Sequence, residues 1–183
     1  LVGSTTARVD DPILTPRGEI QPLRPPARIL LDRKAETPDS ARIFREGEGK
    51  VVIFVGDHAR EGQIERLERC GASVHPVAEV QGAHLDLRQA LKVCSETGIS
   101  ALLCEGGGRH AASLLREDLV DRIYLVIAPS VLGPGAVPGL PGLEAIGLGA
   151  RFERSHDPHA LGEDVLVTYE RRRGDPARAG SSD

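Results

Sequence analysis

Short apolar runs alternate along this chain with segments of helical periodicity. Residues 27–31 and 51–55 read as strands, and the second run, VVIFV, is mostly β-branched. Residues 61–70 place Ile64 and Leu67 at helical spacing, and Gly71 follows where a helix would stop. Further strands are predicted at 73–77, 101–105, 123–128, 151–154 and 164–170, and further helices at 85–97 and 109–116.

The alternation predicts an α/β protein with a mostly parallel central sheet flanked by helices. Two late strands without a helix between them predict an antiparallel C-terminal edge. We expect residues 1–173 to form one domain and the small, polar residues 174–183 to form a disordered tail. Because the chain opens on Leu1 and Val2 as the end of a buried strand, we expect the first strand to be missing.

Composition narrows the classes of partner. The 183 residues carry a formal net charge of −4, which argues against nucleic acid and against an anionic membrane surface. No apolar run approaches the ~18 residues of a membrane span. The three cysteines are an odd number without metal-ligand spacing, and they predict free thiols in a reducing compartment, the cytoplasm.

The most informative segment is residues 101–113, ALLCEGGGRHAAS. A predicted strand ends in Glu105, three glycines follow, and a helix-forming stretch begins at Arg109. Glycines before a helix start expose backbone N–H groups at the positive end of the helix dipole, which favours a phosphate. A flexible turn between strand and helix is the alternative interpretation, since neither named phosphate motif is present.

A second polar cluster lies at residues 3–17, GSTTARVDDPILTPR. Pro12 and Pro16 restrict its backbone, so we expect a rigid polar loop at a strand end in which Arg17 can bind a phosphate. The alternative is that Asp10 and Asp11 cap a turn while Arg17 is solvated.

Five segments in chain order together resemble one family. Residues 3–17 resemble the GxxTxxxDDPxLTxR stretch of the reductase domain of riboflavin biosynthesis, and residues 103–108 resemble its EGGG turn. Similar to its remaining segments are residues 27–33 followed by 37–38, residues 119–121 with 128–133, and residues 162–166. The resemblance runs over roughly residues 1–172.

The resemblance implies a dihydrofolate-reductase-like fold and an NADPH-dependent oxidoreductase. The implied reaction reduces 5-amino-6-(5-phosphoribosylamino)uracil, or its diamino-pyrimidinone counterpart, to the ribitylamino product. Hydride transfer would depend on positioning, so no catalytic side chain is expected. The alternatives are another NADPH reductase of this fold, or an inactive truncated copy that retains cofactor binding.

Site residues are carried over by position. The substrate positions are Leu14, Arg17 and Glu105, and Arg17 suits a ribose phosphate. Arg33 falls at the adenosine end of NADPH, where it would pair with the 2′-phosphate. The other cofactor positions are Thr6, Asp10, Gly107, Gly108, Arg109, His110, Ala111, Ala112 and Ser113.

The resemblance also implies a homodimer and, in some members, an upstream zinc deaminase domain whose ligand motifs this chain lacks. No metal site is expected. His156 and His159 have no third ligand nearby in the sequence, so we expect solvated side chains.

Overall fold

A parallel sheet of four strands organises the first of two units of the chain, Leu1–His110; the second is Ala111–Asp183. The computed structural model describes residues 1–18, 22–80, 84–141 and 148–172. The strands are β1 (Val2–Gly3), β2 (Arg28–Leu31), β3 (Val51–Gly56) and β4 (Ala72–Val77), in the order β1-β2-β3-β4. Every residue of the first three strands is buried, as expected of parallel strands covered on both faces.

A helix connects each strand of this sheet to the next. These helices are α1 (Ser4–Asp10), α2 (Arg42–Arg45) and α3 (Glu61–Arg69). A short antiparallel pair follows, β5 (Glu79–Val80) with β6 (His84–Leu85), and then α4 (Leu87–Glu96). Asp86 caps α4, because its carboxylate accepts from Gln89 N at 3.0 Å.

The hydrophobic core of this unit lies between the sheet and its helices. Leu30, Ile53 and Val55 are fully buried in it, and Leu67 packs from α3. Burying side chains of this size contributes roughly 1.5–3 kcal/mol each. The core therefore fixes the carboxyl ends of β2 and β3, where open α/β sheets bind their ligands.

The second unit holds an antiparallel sheet of its own. After α5 (Gly108–Arg116), which begins at the end of the first unit, come β7 (Arg122–Ile127), α6 (Leu148–Arg151), β8 (Phe152–Arg154), β9 (His159–Leu161) and β10 (Asp164–Arg171). β10 pairs with β7, β8 and β9, all antiparallel. Residues 124–127 of β7 are each about half exposed, and in the described ranges its second edge has no strand partner.

The predicted fold class is confirmed: the structure is α/β, with a parallel sheet and antiparallel C-terminal strands. The C-terminal strands, however, form a separate sheet in the described part of the chain, and not the edge of the parallel one. Among the described residues, no helix is long and apolar enough to cross a membrane. The predicted tail, residues 174–183, lies outside the described residues.

Two predicted elements are wrong. Residues 4–10, predicted as a rigid loop, form α1, which buries Ala7 and ends where Pro12 disfavours helix at the preceding residue. Residues 101–105, predicted as a strand, form none. They make two hydrogen bonds to Leu1, from Leu1 N to Leu103 O at 2.6 Å and from Glu105 N to Leu1 O at 3.0 Å, too few for a ladder.

Candidate functional site

The glycine turn before α5 lies directly against β1. A Cβ on Gly106 would come within 2.7 Å of Val2 Cα and 3.0 Å of Gly3 N, so only glycine permits this approach of two backbones. Since α1 begins immediately after Gly3, the contact places the start of α1 beside the turn.

The imidazole of His110 lies over Gly3. A Cβ on Gly3 would overlap the ring, with Nδ1 at 2.7 Å. Burial lowers the pKa of His110, and His84 shifts it in the same direction. The positive end of the α5 dipole also disfavours an imidazolium there. The ring is therefore neutral at pH 7 and can donate one hydrogen bond and accept another.

Polar groups of the turn and of α1 lie close together. A Cβ on Gly107 would lie 3.7 Å from Thr6 Oγ1, so the hydroxyl and the turn are neighbours. His110 N donates to Gly107 O at 3.1 Å. The amides of Gly108 and Arg109, in the first turn of α5, precede its i→i−4 bonds. A hydroxyl and the amides of a helix's first turn are groups that bind phosphate oxygens.

The structure does not unite the predicted substrate residues in direct contact. Leu14 has φ +59° and packs, partly buried, against the core, whereas Arg17 and Glu105 are exposed. Within the described ranges no hydrogen bond or ion pair joins Arg17 to Glu105. Of the predicted cofactor residues, Asp10 is exposed at the end of α1.

Three predicted cofactor residues belong to the second unit. Ala111, Ala112 and Ser113 lie within α5, and Ala112 is 1% exposed. The side chain of Ala112 therefore cannot reach a ligand. The role of all three stays a prediction.

Arg33 lines a cavity of about 360 Å³ at the carboxyl ends of β2 and β3. Lys34, His58 and Arg60 also line it, and the sequence analysis did not single these out for the site. The signal was available, because DRK follows β2 and DHAR follows β3, and parallel strands end at the same edge. A smaller cavity of about 180 Å³ shares Arg33 and Lys34 with it and extends to Ser4.

Two carboxylates reduce the net positive charge of this cavity. Arg33 Nη1 pairs with Glu79 Oε2 at 2.9 Å, and Glu79 is nearly buried because Gly56 leaves space beneath it. Glu36 pairs with Arg8 at 3.0 Å. The Arg33 guanidinium has further N–H groups beyond the one that Glu79 accepts, so it can hold a phosphate as well.

Two cysteines of the first unit, Cys94 and Cys104, are poor nucleophiles. Burial raises the pKa of the Cys104 thiol and of the Cys94 thiol, so both stay protonated at neutral pH. Across the described ranges, no three His, Cys, Asp or Glu side chains group so as to hold a metal ion.

The comparisons with known proteins agree on one family. The RibD C-terminal domain family matches residues 1–166. The riboflavin biosynthesis protein RibD of Aquifex aeolicus is 32% identical over 171 residues, covering 93% of this chain and 46% of that protein. The chain thus spans about half the length of such relatives. The 2,5-diamino-6-ribosylamino-4(3H)-pyrimidinone 5′-phosphate reductase of Methanothermobacter thermautotrophicus is 31% identical, covering 92% of this chain and 77% of that protein.

A solved structure supports the fold. RibD of Acinetobacter baumannii superposes with a TM-score of 0.73 at 21% identity, covering 93% of this chain and 46% of that one.

Replacing Gly106 by alanine will destabilise the protein by about 1–3 kcal/mol, because the new Cβ meets backbone that cannot rotate away. Gly107→Ala is the matched control, since its Cβ meets only Thr6 Oγ1 at 3.7 Å. Urea denaturation of both variants measures the difference. Equal unfolding midpoints would contradict the close approach.

The lowered pKa of His110 predicts a pH dependence of stability. The unfolded state takes up the proton first as pH falls, so stability is complete above the unfolded pKa of about 6.5 and declines below it. His110→Gln will flatten the fall in unfolding free energy between about pH 7 and 5. Urea denaturation at several pH values tests this, and an unchanged slope in the variant would refute it.

Proposed function

The chain belongs to the RibD C-terminal domain family, and on that premise we propose that it is a nicotinamide-dependent reductase of riboflavin biosynthesis. Its proposed substrate is a 5-phosphoribosylamino pyrimidine, either the 5-amino uracil or the 2,5-diamino-pyrimidinone. The similarity to the Methanothermobacter thermautotrophicus protein covers 77% of that protein's length, and its name, a diamino-pyrimidinone phosphate reductase, supports the second substrate.

The observation that carries the proposal is the meeting of β1, α1 and the glycine turn. Gly106 permits the contact, Thr6 brings a hydroxyl beside Gly107, and the first turn of α5 begins there. This donor set fits a diphosphate, since amides, a hydroxyl and a helix N-terminus all complement its charge. The cationic cavity at the carboxyl ends of β2 and β3 fits a further phosphate.

The chemistry of the reaction divides between cofactor and protein. When bound, a reduced nicotinamide would supply the hydride for reduction of the ring-opened ribose imine to the amine, and water would supply the proton. Thr6 and the first turn of α5 would hold the diphosphate. Arg17 would bind the ribose phosphate, and Glu105 would accept from the pyrimidine N–H groups. His110, in the same turn of α5, would donate a hydrogen bond to the diphosphate as a neutral imidazole.

We further propose that the cofactor is NADPH. Three cationic side chains, Arg33, Lys34 and Arg60, line the larger cavity, against the two carboxylates Glu36 and Glu79. A 2′-phosphate adds charge that NADH lacks, and guanidinium groups bind phosphate well. Cationic excess in this cavity therefore favours NADPH.

The direct test follows loss of NADPH absorbance with each of the two pyrimidine phosphates in turn. Turnover of either supports the proposed function and identifies the pyrimidine. Cofactor binding without turnover of either pyrimidine would overturn the substrate assignment. The protein would then be a reductase of the same fold that acts on another substrate. Arg17→Ala is the informative variant, because it should raise the substrate KM and leave cofactor affinity unchanged.

Arg33→Ala will weaken NADPH binding about 10- to 100-fold and leave NADH binding nearly unchanged, as expected for loss of a charge-assisted hydrogen bond. Titration of both dinucleotides by calorimetry measures this without turnover. Arg69→Ala, an exposed arginine on α3, is the control. An unchanged NADPH/NADH ratio in Arg33→Ala would refute the assignment.

The homodimer and the cytoplasmic location stay predictions, and sedimentation analysis would test the first.

A further inference from the structure

The 11–17 loop has a strained backbone. Asp11 has φ +40° and Leu14 has φ +59°, both in the left-handed region that non-glycine residues rarely adopt. Such residues cost roughly 1–3 kcal/mol each and persist only where surrounding contacts determine them. The contacts that hold this loop therefore matter to the position of Leu14 and Arg17.

Those contacts come from the segment of residues 42–49. Asp11 Oδ1 accepts from Arg42 N at 2.9 Å. Gly47, with φ +77°, lies against the loop so closely that a Cβ would meet Thr15 Cγ2 at 2.5 Å and Ile13 Cγ2 at 2.9 Å. Both methyl groups branch directly from a Cβ, so relieving the overlap requires a change at the side-chain base or in the backbone.

The 42–49 segment is in turn held by Arg28 of β2. Its guanidinium donates to Ile43 O at 2.8 Å, Glu46 O at 2.6 Å and Gly49 O at 3.0 Å. Arg28 is 5% exposed, and its partners among the described residues are these carbonyls and no carboxylate. Desolvation offsets much of what these hydrogen bonds contribute to stability, but the planar fork of the guanidinium fixes the segment in one place.

We propose that Gly47 and Arg28 are positioning residues for the substrate. The bare Cα of Gly47 lets the 42–49 segment support the 11–17 loop, and Arg28 keeps the segment there, so that Leu14 and Arg17 face the phosphorylated pyrimidine. This inference rests on the proposed function.

The test compares Gly47→Ala with Gly98→Ala. Both glycines have a left-handed φ, +77° and +85°, so both variants carry similar backbone strain. A Cβ on Gly98 meets nothing within 4 Å, so Gly98→Ala lacks the overlap with the loop. Gly47→Ala is expected to raise the KM for the pyrimidine phosphate about tenfold, as misplacement of a binding group does. Its dissociation constant for NADPH should not change, and Gly98→Ala should change neither value.

A second variant and a second measurement distinguish the proposed effect from misfolding of Gly47→Ala. Arg28→Lys retains the charge but cannot reach three carbonyls, so it should raise the same KM without adding a clash. Hydrogen exchange of the Arg42 amide, which donates to Asp11, is expected to accelerate in Gly47→Ala and Arg28→Lys and not in Gly98→Ala.

The outcomes separate the two proposals. If Arg42 exchange is the same in all three variants, the coupling between segment and loop is refuted. If exchange accelerates and the substrate KM stays constant, the positioning role is refuted. Absence of turnover by the unchanged chain would overturn the proposed function, while Arg42 exchange would still decide the coupling.

Discussion

The contact on which the candidate site depends is the one between two backbones, Gly106 against Val2 and Gly3. β1 is fixed by its pairing with β2, where Val2 lies opposite Leu30 in the core. The glycine turn takes its place from β1, and α5 begins from the turn. A side chain at position 106 would separate the hydroxyl of Thr6 from the amides of α5. Glycine is therefore required here because it lets the turn pack directly against β1.

The carboxyl edge of the parallel sheet supplies a second group of candidate ligand-binding side chains. Arg33 follows β2 and His58 follows β3, and the register of these strands ends them together. Glu79 fixes Arg33 and also reduces the net charge around it. The proposed phosphate affinity of this edge therefore depends on Arg33 together with the carboxylates beside it.

The sequence predicted elements whose patterns are local. VVIFV became β3 because both faces of a central parallel strand are apolar, and α4 has a regular apolar face with Asp86 as its cap. It did not predict α1, whose threonines and Val9 favour extended backbone and which depends on tertiary burial of Ala7. Residues 101–105 are apolar up to Glu105, but none of them is buried, and their two hydrogen bonds to Leu1 do not make a strand ladder.

The candidate site was predictable where a motif carries it and not where distant segments meet. The glycine turn was predicted from its own motif and Arg33 from the family resemblance, whereas Lys34 and Arg60 could be placed only by combining two strand ends, since they line the cavity from the segments after β2 and β3. Arg28 was invisible for the same reason, since nothing local shows that its partners are carbonyls fifteen or more residues away. A leucine there would suit a central strand equally well, but it would leave those carbonyls without donors. The arginine thus ties the loop that bears Arg17 to the rigid part of the sheet.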